Sequence, residues 1–320
     1  MIDISIIVPH YNSTSSLKKL LHSIPVKKNI EVIVVDDRST ENFEEFIRMS
    51  KQKEFKHVTF MNNKSSKKGA GVCRNIGLSK STGKWILFAD ADDFFVENFY
   101  EYISEYFNTN YDVIFFTPTS LEIDTGYESD RHIRYEELLL NYTNSKNIKD
   151  ETYLRYQFYV PWSKLISRQL IMDNEVYFDE VLASNDVMFS TKIGYYMKNF
   201  TVCKEKIYCV TRGSGTLTTN ADIDVFDSRM DVHIRYCEFL KQNLDTKKYK
   251  ILRPHGIGIL FNAFKLKLGF SKIISIIFYL KQRKIAIFDI RFLNPLYIVR
   301  RLRYHNKNHK RKSRYIIIGS

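Results

Sequence analysis

The stretch Trp85-Ile-Leu-Phe-Ala-Asp-Ala-Asp-Asp93 joins a short apolar run directly to a cluster of three acids. The apolar run is typical of a buried parallel strand, and the acids follow where that strand would end. Asp90 and Asp92 are two positions apart, so on an extended backbone their carboxylates point to the same side and repel each other. A divalent cation shared with a diphosphate would relieve this repulsion, and a solvated acidic turn is the alternative. Asp93 adds charge or caps a helix that begins at Phe94.

Two similar strand patterns precede this one, and each also ends in polar residues. Residues 4–8 are followed by a polar cluster at 10–12, and residues 31–35 are followed by Asp36 and Asp37. With a third strand and intervening helices, the order is βαβαβ, which predicts an α/β fold with a mostly parallel, helix-covered sheet. Ligands bind such sheets at the carboxyl ends of the strands, so we expect these clusters to share one site. The other elements predicted here are helices over 17–24, 43–47 and 72–81 and a strand over 57–61.

The rest of the chain has a less regular pattern, with strands and helices of varied length. We predict a first region over residues 1–220, with a boundary inside it at about residue 118. Residues 221–320 form a helical C-terminal region. The elements predicted beyond residue 93 are strands at 111–116 and 200–211, a polar loop at 120–130, and helices at 135–144, 151–158, 186–196 and 224–244.

The positive charge is concentrated at one end of the chain. The formal net charge is +13, but residues 265–320 contain 15 Lys and Arg residues and one acid, Asp289. This asymmetry excludes a uniformly basic chromatin or ribosomal binder. Basic residues interleaved with apolar clusters favour contact with an anionic membrane surface. The alternatives are a helical subdomain with a solvated basic face and a nucleic-acid-binding protein that uses this tail.

Cysteine usage and hydropathy indicate the compartment. The four cysteines have no C-x-x-C spacing, so we expect reduced thiols. The chain shows no signal-peptide pattern and no uncharged apolar stretch of about 18–20 residues, the length that a membrane span needs. We therefore expect a cytoplasmic protein that lies peripherally on the inner face of the cell membrane.

Four further segments carry polar groups suited to a ligand. Asp36 and Asp37 could accept hydrogen bonds from a ribose or a base, bind a cation, or cap a helix. Residues 69–77 form a glycine-rich start to a helix, from which Arg74 could reach a phosphate. Asp186 is either a helix cap or a general base. The segment Arg212-Gly-Ser-Gly-Thr is either a lid over an anionic ligand or a plain loop.

Four segments, taken in order, resemble the family 2 glycosyltransferases of GT-A fold that serve bacterial capsule, O-antigen or cell-wall polysaccharide synthesis. They are Ile-Ile-Val-Pro-His-Tyr-Asn (6–12), Val-Val-Asp-Asp-Arg-Ser (34–39), Gly-Val-Cys-Arg-Asn-Ile-Gly (71–77) and Phe-Ala-Asp-Ala-Asp-Asp (88–93). Later landmarks of the family are similar to residues 161–165, 185–189 and 212–218. The resemblance covers about residues 2–219 and leaves the basic tail outside. It implies a catalytic domain over residues 1–220, with a nucleotide-binding half at about 1–118 and an acceptor half at about 119–220.

The resemblance implies an inverting, metal-dependent hexosyltransferase that uses a nucleotide-diphosphate sugar, with UDP as the expected nucleotide. The acceptor would be a saccharide or a lipid-linked saccharide. Asp186 would be the general base, and Asp92 with Asp90 would hold Mn²⁺ or Mg²⁺ at the diphosphate. The implied donor-binding residues are Pro9, Tyr11, Asp36, Asp37, Asn63, Arg74, Asp90, Ala91 and Arg212. The implied acceptor residues are Trp162, Lys164 and Asn185.

The chain departs from the family pattern at two positions. Cys73 stands where the family usually has a small residue such as Ala. Asn185 stands where it often has an acid, and the loss of that like charge should leave Asp186 more acidic. A nucleotidyltransferase is the alternative enzyme. It would require a glycine-rich loop near the start of the chain, and residues 6–16 contain no glycine.

Overall fold

The computed structural model describes residues 1–213 and 222–289, together with residues 291, 294, 295 and 299. Within these residues eight strands form one mixed sheet in the order β3-β2-β1-β4-β7-β6-β8-β5. The predicted α/β class is confirmed. The strands are β1 (Ile4–His10), β2 (Ile30–Asp36), β3 (Val58–Asn62), β4 (Trp85–Phe88), β5 (Phe94–Phe95), β6 (Val113–Glu122), β7 (Lys164–Ser167) and β8 (Phe200–Arg212).

The described residues also form twelve α-helices and a short 3₁₀ helix at Lys53–Phe55. The α-helices are α1 (Thr14–His22), α2 (Phe43–Ser50), α3 (Ala70–Lys80), α4 (Phe99–Ser104), α5 (Ile133–Ser145), α6 (Ile148–Gln157), α7 (Arg168–Asp173), α8 (Asn185–Tyr196), α9 (Ile223–Asn243), α10 (Thr246–Leu252), α11 (Ile257–Lys265) and α12 (Gly269–Gln282).

The first four strands are parallel, as predicted, because helices cover both faces of this half of the sheet. Strand β1 pairs with β2 and β4, and β2 pairs with β3. Ile4 and Ile6 pack on one side with Leu17 of α1, whereas Ile7 packs on the other side with Leu78 of α3. Burial on both faces explains why β1 is a continuous apolar run instead of an alternating one.

The second half of the sheet differs from the sequence-based expectation in two places. Phe94 begins strand β5, which pairs antiparallel with β8, so no helix starts there, and α4 begins at Phe99. Asp93 therefore caps no helix. The loop predicted at 120–130 is shorter, because β6 continues to Glu122 alongside β8. Strand β7 is antiparallel to both β4 and β6 and joins the two parallel parts.

The C-terminal helices pack against α6 and α8. Helices α9, α11 and α12 share one apolar cluster with Tyr156 of α6 and Met188 of α8. The predicted helical C-terminal region is thus present in the described residues up to 289. Among the described residues, no helix combines the length and hydropathy that a membrane crossing needs. The predicted division of the chain at residue 220 stays a prediction.

Candidate active site

The polar clusters predicted to share a site do meet, at the carboxyl ends of β1, β2 and β4. His10 at the end of β1 lies beside Asp36 at the end of β2, with 2.8 Å between Nδ1 and Oδ1. Asp36 also accepts from the hydroxyl and the backbone N–H of Ser39, at 2.6 and 3.0 Å. Burial alone would raise the pKa of Asp36, but the bonds from His10 and Ser39 outweigh it and lower that pKa. This burial favours a supporting role for Asp36 over the donor contact expected from the sequence.

Asp37 connects the end of β2 to the start of α3. One oxygen accepts from Nδ2 of Asn63 and the other from the backbone N–H of Gly69, both at 2.7 Å. Asn63 also donates to the carbonyl of Lys67, at 2.8 Å. Asp37 and Asn63 are nearly buried. They fix the loop that precedes α3 and, with it, the backbone that would face a nucleotide.

Tyr11 is the open member of the predicted donor set. Its side chain is 51% exposed, and Nζ of Lys68 lies 5.3 Å from the centroid of its ring. Pro9 is buried within β1 beside Val35 of β2. An exposed aromatic ring at a strand end, with a cation above it, offers a stacking surface for a base and a counter-charge for phosphate.

Arg74 joins the acids after β4 to the start of α8. Its Nη2 bonds Oδ1 of Asp90, and its Nη1 donates to Oδ1 of Asn185 at 2.7 Å. Its side chain is nearly buried, and the guanidinium lies 5.2 Å from the ring centroid of Phe178. The arginine therefore holds three distant segments at one point. The predicted phosphate contact stays a prediction.

Gly71 allows this close approach. A Cβ at this position would lie 2.3 Å from the carbonyl oxygen of Asp179 and 3.0 Å from Cβ of Asn185. Any larger residue would push α3 away from the loop that leads into α8. The glycine-rich stretch predicted to open a helix thus serves helix–loop packing at the site as well as backbone exposure.

The acidic loop after β4 has one buried and two accessible carboxylates. Asp93 is buried, where it accepts from the hydroxyl of Tyr208 at 2.8 Å and from the backbone N–H of Thr211 at 2.7 Å. Asp90 is partly exposed, Asp92 is exposed, and Ala91 between them is buried. Partial desolvation of Asp92 by the surrounding protein raises its pKa, and the negative charge of the neighbouring Asp90 raises it further. The carboxylates repel each other, as their spacing predicted.

This pair of carboxylates fits a divalent cation that is also bound by a substrate. Mg²⁺ in phosphate sites is typically held by one or two carboxylates, substrate phosphates and water. The described residues contain no group of three or more His, Cys, Asp or Glu arranged to hold a metal by itself. Asp92 and Asp90 could therefore hold Mn²⁺ or Mg²⁺ together with phosphate oxygens. Arg74 shares Asp90 and would adjust to such binding.

Asp186 lies in the first turn of α8 and does not act as its cap. Ser184 occupies the cap position, and no side-chain cap bond is formed there. Burial raises the pKa of Asp186, opposed by the positive charges of Arg74 and Lys164 and assisted by Asp90. Asn185, the residue before Asp186, bonds Arg74, which also bonds Asp90, so the first turn of α8 lies close to the acidic loop. A carboxylate with a raised pKa is the better proton acceptor, which suits a general base.

Trp162 and Lys164, expected at an acceptor, are both buried. Lys164 is 1% exposed, and its Nζ donates to the carbonyl of Phe158 at 2.9 Å and to Oγ of Ser190 at 3.0 Å. Burial lowers the pKa of Lys164 to about 7. Trp162 is buried with its ring stacked on Tyr208, at 5.8 Å between centroids. Their burial favours a supporting role for both side chains over direct contact with an acceptor.

Arg212, at the end of β8, pairs with acids on the neighbouring β6 side. Its Nη1 lies 3.0 Å from Asp130 and 3.8 Å from Glu122. The predicted lid begins at this residue, but residues 214–221 lie outside the described part of the chain.

Strand β8 also supplies residues that the sequence analysis missed. The Tyr208 hydroxyl accepts from the backbone N–H of Asp90 at 2.8 Å. The Thr211 hydroxyl donates to the carbonyl of Asp92 at 2.5 Å, and Arg131 donates to the carbonyl of Thr211 at 2.7 Å. These contacts shape the acidic loop from more than 110 positions away along the chain. No local pattern in the sequence marks them.

Comparison with known proteins connects this geometry to one family. Residues 5–174 match the family model described as "Glycosyl transferase family 2". The chain is similar to the glycosyltransferase GlyG of Streptococcus pneumoniae, at 26% identity over 304 residues, which are 84% of this chain and 96% of GlyG. It is also similar to the poly(ribitol-phosphate) beta-N-acetylglucosaminyltransferase TarS of Staphylococcus aureus, at 25% identity over 280 residues. That match covers 83% of this chain and 46% of TarS, so the chain spans less than half of that relative.

Solved structures show the same fold. Residues 1–349 of S. aureus TarS in complex with UDP-GlcNAc match with a TM-score of 0.65 at 24% identity, covering 85% of this chain and 77% of that one. The mannosyltransferase PcManGT from Pyrobaculum calidifontis, in complex with GDP-Man and Mn²⁺, matches with a TM-score of 0.55 at 13% identity. That match covers 96% of this chain and 82% of the mannosyltransferase.

Proposed function

The chain belongs to glycosyl transferase family 2 and has the GT-A fold, and from this premise we propose that it moves a sugar from a nucleotide-diphosphate sugar to a hydroxyl of a saccharide acceptor. One observation carries the proposal. Arg74 bonds both Asp90 after β4 and Asn185 at the start of α8, so it brings the predicted diphosphate site and Asp186 together.

We propose a UDP-sugar as the donor. The exposed ring of Tyr11 would stack on the base, and the loop fixed by Asp37 and Asn63 would lie beside the nucleoside. Arg74 would face the phosphates. The TarS structures are described as complexes with UDP and UDP-GlcNAc, which supports the choice of nucleotide. The mannosyltransferase complex with GDP-Man makes GDP the main competitor.

The diphosphate would lie against Asp92 and Asp90. Mn²⁺ or Mg²⁺ bound there would neutralise the charge that grows on the leaving diphosphate. Arg74, held between Asp90 and Asn185, would add a fixed positive charge at the same place. No acidic side chain is then needed to protonate the leaving group, unlike in the glycoside hydrolases, where one of two carboxyl groups acts as an acid.

Asp186 would take the proton of the acceptor hydroxyl while that oxygen bonds to the anomeric carbon. The bond between the anomeric carbon and the diphosphate oxygen breaks from the opposite face, so the configuration inverts and one base is enough. The raised pKa of Asp186 suits this role. Asn185 would orient the acceptor or Arg74, while Trp162 and Lys164 would hold the floor of the site.

We propose that the acceptor is a saccharide or lipid-linked saccharide in cell-surface polysaccharide synthesis, and that the protein meets it at the inner face of the membrane. Helices α11 and α12 carry a row of exposed large apolar side chains. Between residues 257 and 289 there are six Lys or Arg residues and one acid. Apolar side chains ringed by cations suit an anionic bilayer. The exposed side chains are Phe261, Phe264, Phe270, Ile274 and Phe278. The remainder of the predicted basic tail lies largely outside the described residues.

A thermal-shift panel of UDP, GDP, dTDP and CMP, each with Mn²⁺, tests the donor proposal. We expect a shift with UDP that is larger than with the other three and that depends on the metal. A larger shift with GDP would indicate a GDP-sugar as the donor instead of a UDP-sugar. The absence of a shift with every nucleotide, metal included, would contradict the proposed use of a nucleotide sugar.

A further inference from the structure

A cavity of about 620 Å³ lies between α8, α9 and α11, beside the turn that carries Asp186. Ser184 and Val187, on either side of Asp186 in the chain, both line it, and so does Tyr159. Asp186 itself is not among the lining residues, so the cavity lies beside the turn that carries the base. The cavity therefore adjoins the reacting end of the proposed site.

This cavity is too large to be a packing defect. Voids in protein cores are mostly smaller than a water molecule or two, whereas ligand sites measure roughly 300–1,000 Å³. All three of its helices, α8, α9 and α11, follow residue 174, the last that matches the family model. The cavity is thus built largely by the C-terminal helices of this chain, to which the donor site gives no role.

The lining combines aromatic rings with hydrogen-bonding side chains. A sugar ring presents apolar C–H faces that pack on aromatic rings and hydroxyls that need polar partners. A cavity for a purely apolar ligand would lack the polar set, and a purely ionic site would lack the rings. The rings are those of Tyr159, Phe226 and Tyr236, and the polar side chains include Ser184, Asp222, His233 and Asn262.

His233 adds an acceptor to this wall. Its Nε2 lies 2.9 Å from the carbonyl oxygen of His255, which can only accept, so Nε2 carries the proton. Burial lowers the pKa of His233, which favours the neutral ring. In that tautomer Nδ1 is a hydrogen-bond acceptor, as a sugar hydroxyl requires.

We propose that this cavity is an acceptor subsite that holds a saccharide unit of the acceptor next to the hydroxyl activated by Asp186. The proposal rests on the proposed glycosyltransferase reaction and adds a location and a ligand class to it. It predicts that filling the cavity blocks the acceptor and leaves the donor untouched.

Gly258 offers a precise way to fill the cavity. It lines the cavity, and a Cβ built on it meets nothing within 4 Å. Gly258→Trp should therefore project an indole into open space, and Gly258→Ala is the matched control. Asn262→Leu, at an exposed lining position, provides a second variant that keeps the helix backbone unchanged. Melting temperatures of all three check folding.

The measurements are UDP binding with Mn²⁺, hydrolysis of UDP-sugars by water, and transfer to octyl β-glucoside, octyl β-galactoside and octyl N-acetyl-β-glucosaminide. We expect the wild type to respond saturably to at least one glycoside. Gly258→Trp should lower kcat/KM for that glycoside by at least about tenfold, and Asn262→Leu should raise its KM. Donor binding and hydrolysis should stay within about twofold in both variants, and Gly258→Ala should match the wild type.

Two results would overturn the inference: unchanged transfer by Gly258→Trp, or no saturable effect of any glycoside on a wild type that binds and hydrolyses donor. A wild type that neither binds nor hydrolyses any nucleotide sugar would instead contradict the proposed function, so the two failures are distinguishable.

Discussion

Nη1 of Arg74 donates to Oδ1 of Asn185 across 2.7 Å, although the residues are 111 positions apart. Because the same guanidinium bonds Asp90, one side chain fixes the distance between the acidic loop and the first turn of α8. The half predicted to bind the nucleotide and the half predicted to bind the acceptor are thus joined by Arg74. The positive charge and the spacing of the two segments here both depend on the guanidinium of Arg74.

Replacing Arg74 by lysine should separate fork geometry from charge. A lysine keeps the positive charge but cannot bond Asp90 and Asn185 in the same planar arrangement. We expect kcat/KM for transfer to fall by about 10- to 1,000-fold, and the melting temperature to fall as well, because the buried guanidinium bonds two partners. Steady-state kinetics and thermal melting check this. Arg48→Lys, at an exposed site on α2, is the control, and equal kinetics in both variants would contradict the bridging role.

Asp186→Asn should leave donor binding intact and abolish transfer, because asparagine cannot take a proton. Loss of a general base costs about 10²- to 10⁴-fold in rate. UDP binding by calorimetry and transfer by product detection give the two readouts. Asp173→Asn, which changes an exposed acid on α7, is the matched control. Surviving transfer in Asp186→Asn would show that another group is the base.

The raised pKa of Asp186 predicts an acid limit to activity. The base must be a carboxylate, so transfer should be lost as the pH falls through a pKa that lies above the ordinary 3.8. Burial is the main cause, and Arg74 opposes it. In Arg74→Gln the acid limb of residual kcat should therefore move to higher pH. If the acid limb of kcat lay at the ordinary carboxyl pKa in both the wild type and Arg74→Gln, Asp186 would not be the buried base proposed here.

The first half of the fold, and the meeting of polar clusters at the ends of β1, β2 and β4, could be predicted from sequence because both depend on local patterns. Continuous apolar runs gave β1, β2 and β4, and the acids after them mark the ligand edge. The partners of those acids could not be predicted, since they are set by tertiary packing. Asp93 is buried because β5 pairs with β8, which brings Tyr208 beneath it. Asn185 stands where the family pattern often has an acid, and here its side-chain oxygen accepts a hydrogen bond from Arg74. The expectation that Asp186 is more acidic here than in relatives with an acid at the preceding position stays a prediction.

Lys164 predicts an unusual dependence of stability on pH. Burial lowers its pKa to about 7, from an ordinary 10.5. Between these values the unfolded chain binds a proton that the folded chain does not, so the contribution of Lys164 to the free energy of unfolding should rise with pH. The difference in unfolding free energy between wild type and Lys164→Met should therefore grow from pH 7 to pH 10. Lys80→Met, on the exposed side of α3, should show no such trend. Parallel curves for the two variants would mean that the Lys164 ammonium is stabilised in the folded state.

The exposed row on α12 predicts membrane binding that depends on apolar contact as well as charge. Phe270 and Ile274 are 80% and 65% exposed and lie one turn apart, so Phe270→Glu with Ile274→Glu removes two apolar contacts and adds two negative charges. Ser271→Glu with Ser275→Glu adds the same charge at exposed positions on the same helix. We expect both double variants to float less well with vesicles that contain anionic lipid, since each added acid weakens attraction to the surface.

The apolar variant should lose at least about tenfold more affinity than the serine variant, because it also loses buried apolar area. Equal losses would show that attraction is purely electrostatic, as for a solvated basic face. If the wild type instead binds RNA in a strongly salt-dependent way and ignores the vesicles, the basic residues serve a nucleic acid, and the membrane proposal is wrong. If it binds neither and self-associates until Phe270 is changed, the row is an interface between copies of the chain. In each case the two double variants carry equal charge, so their difference isolates the contribution of the apolar side chains.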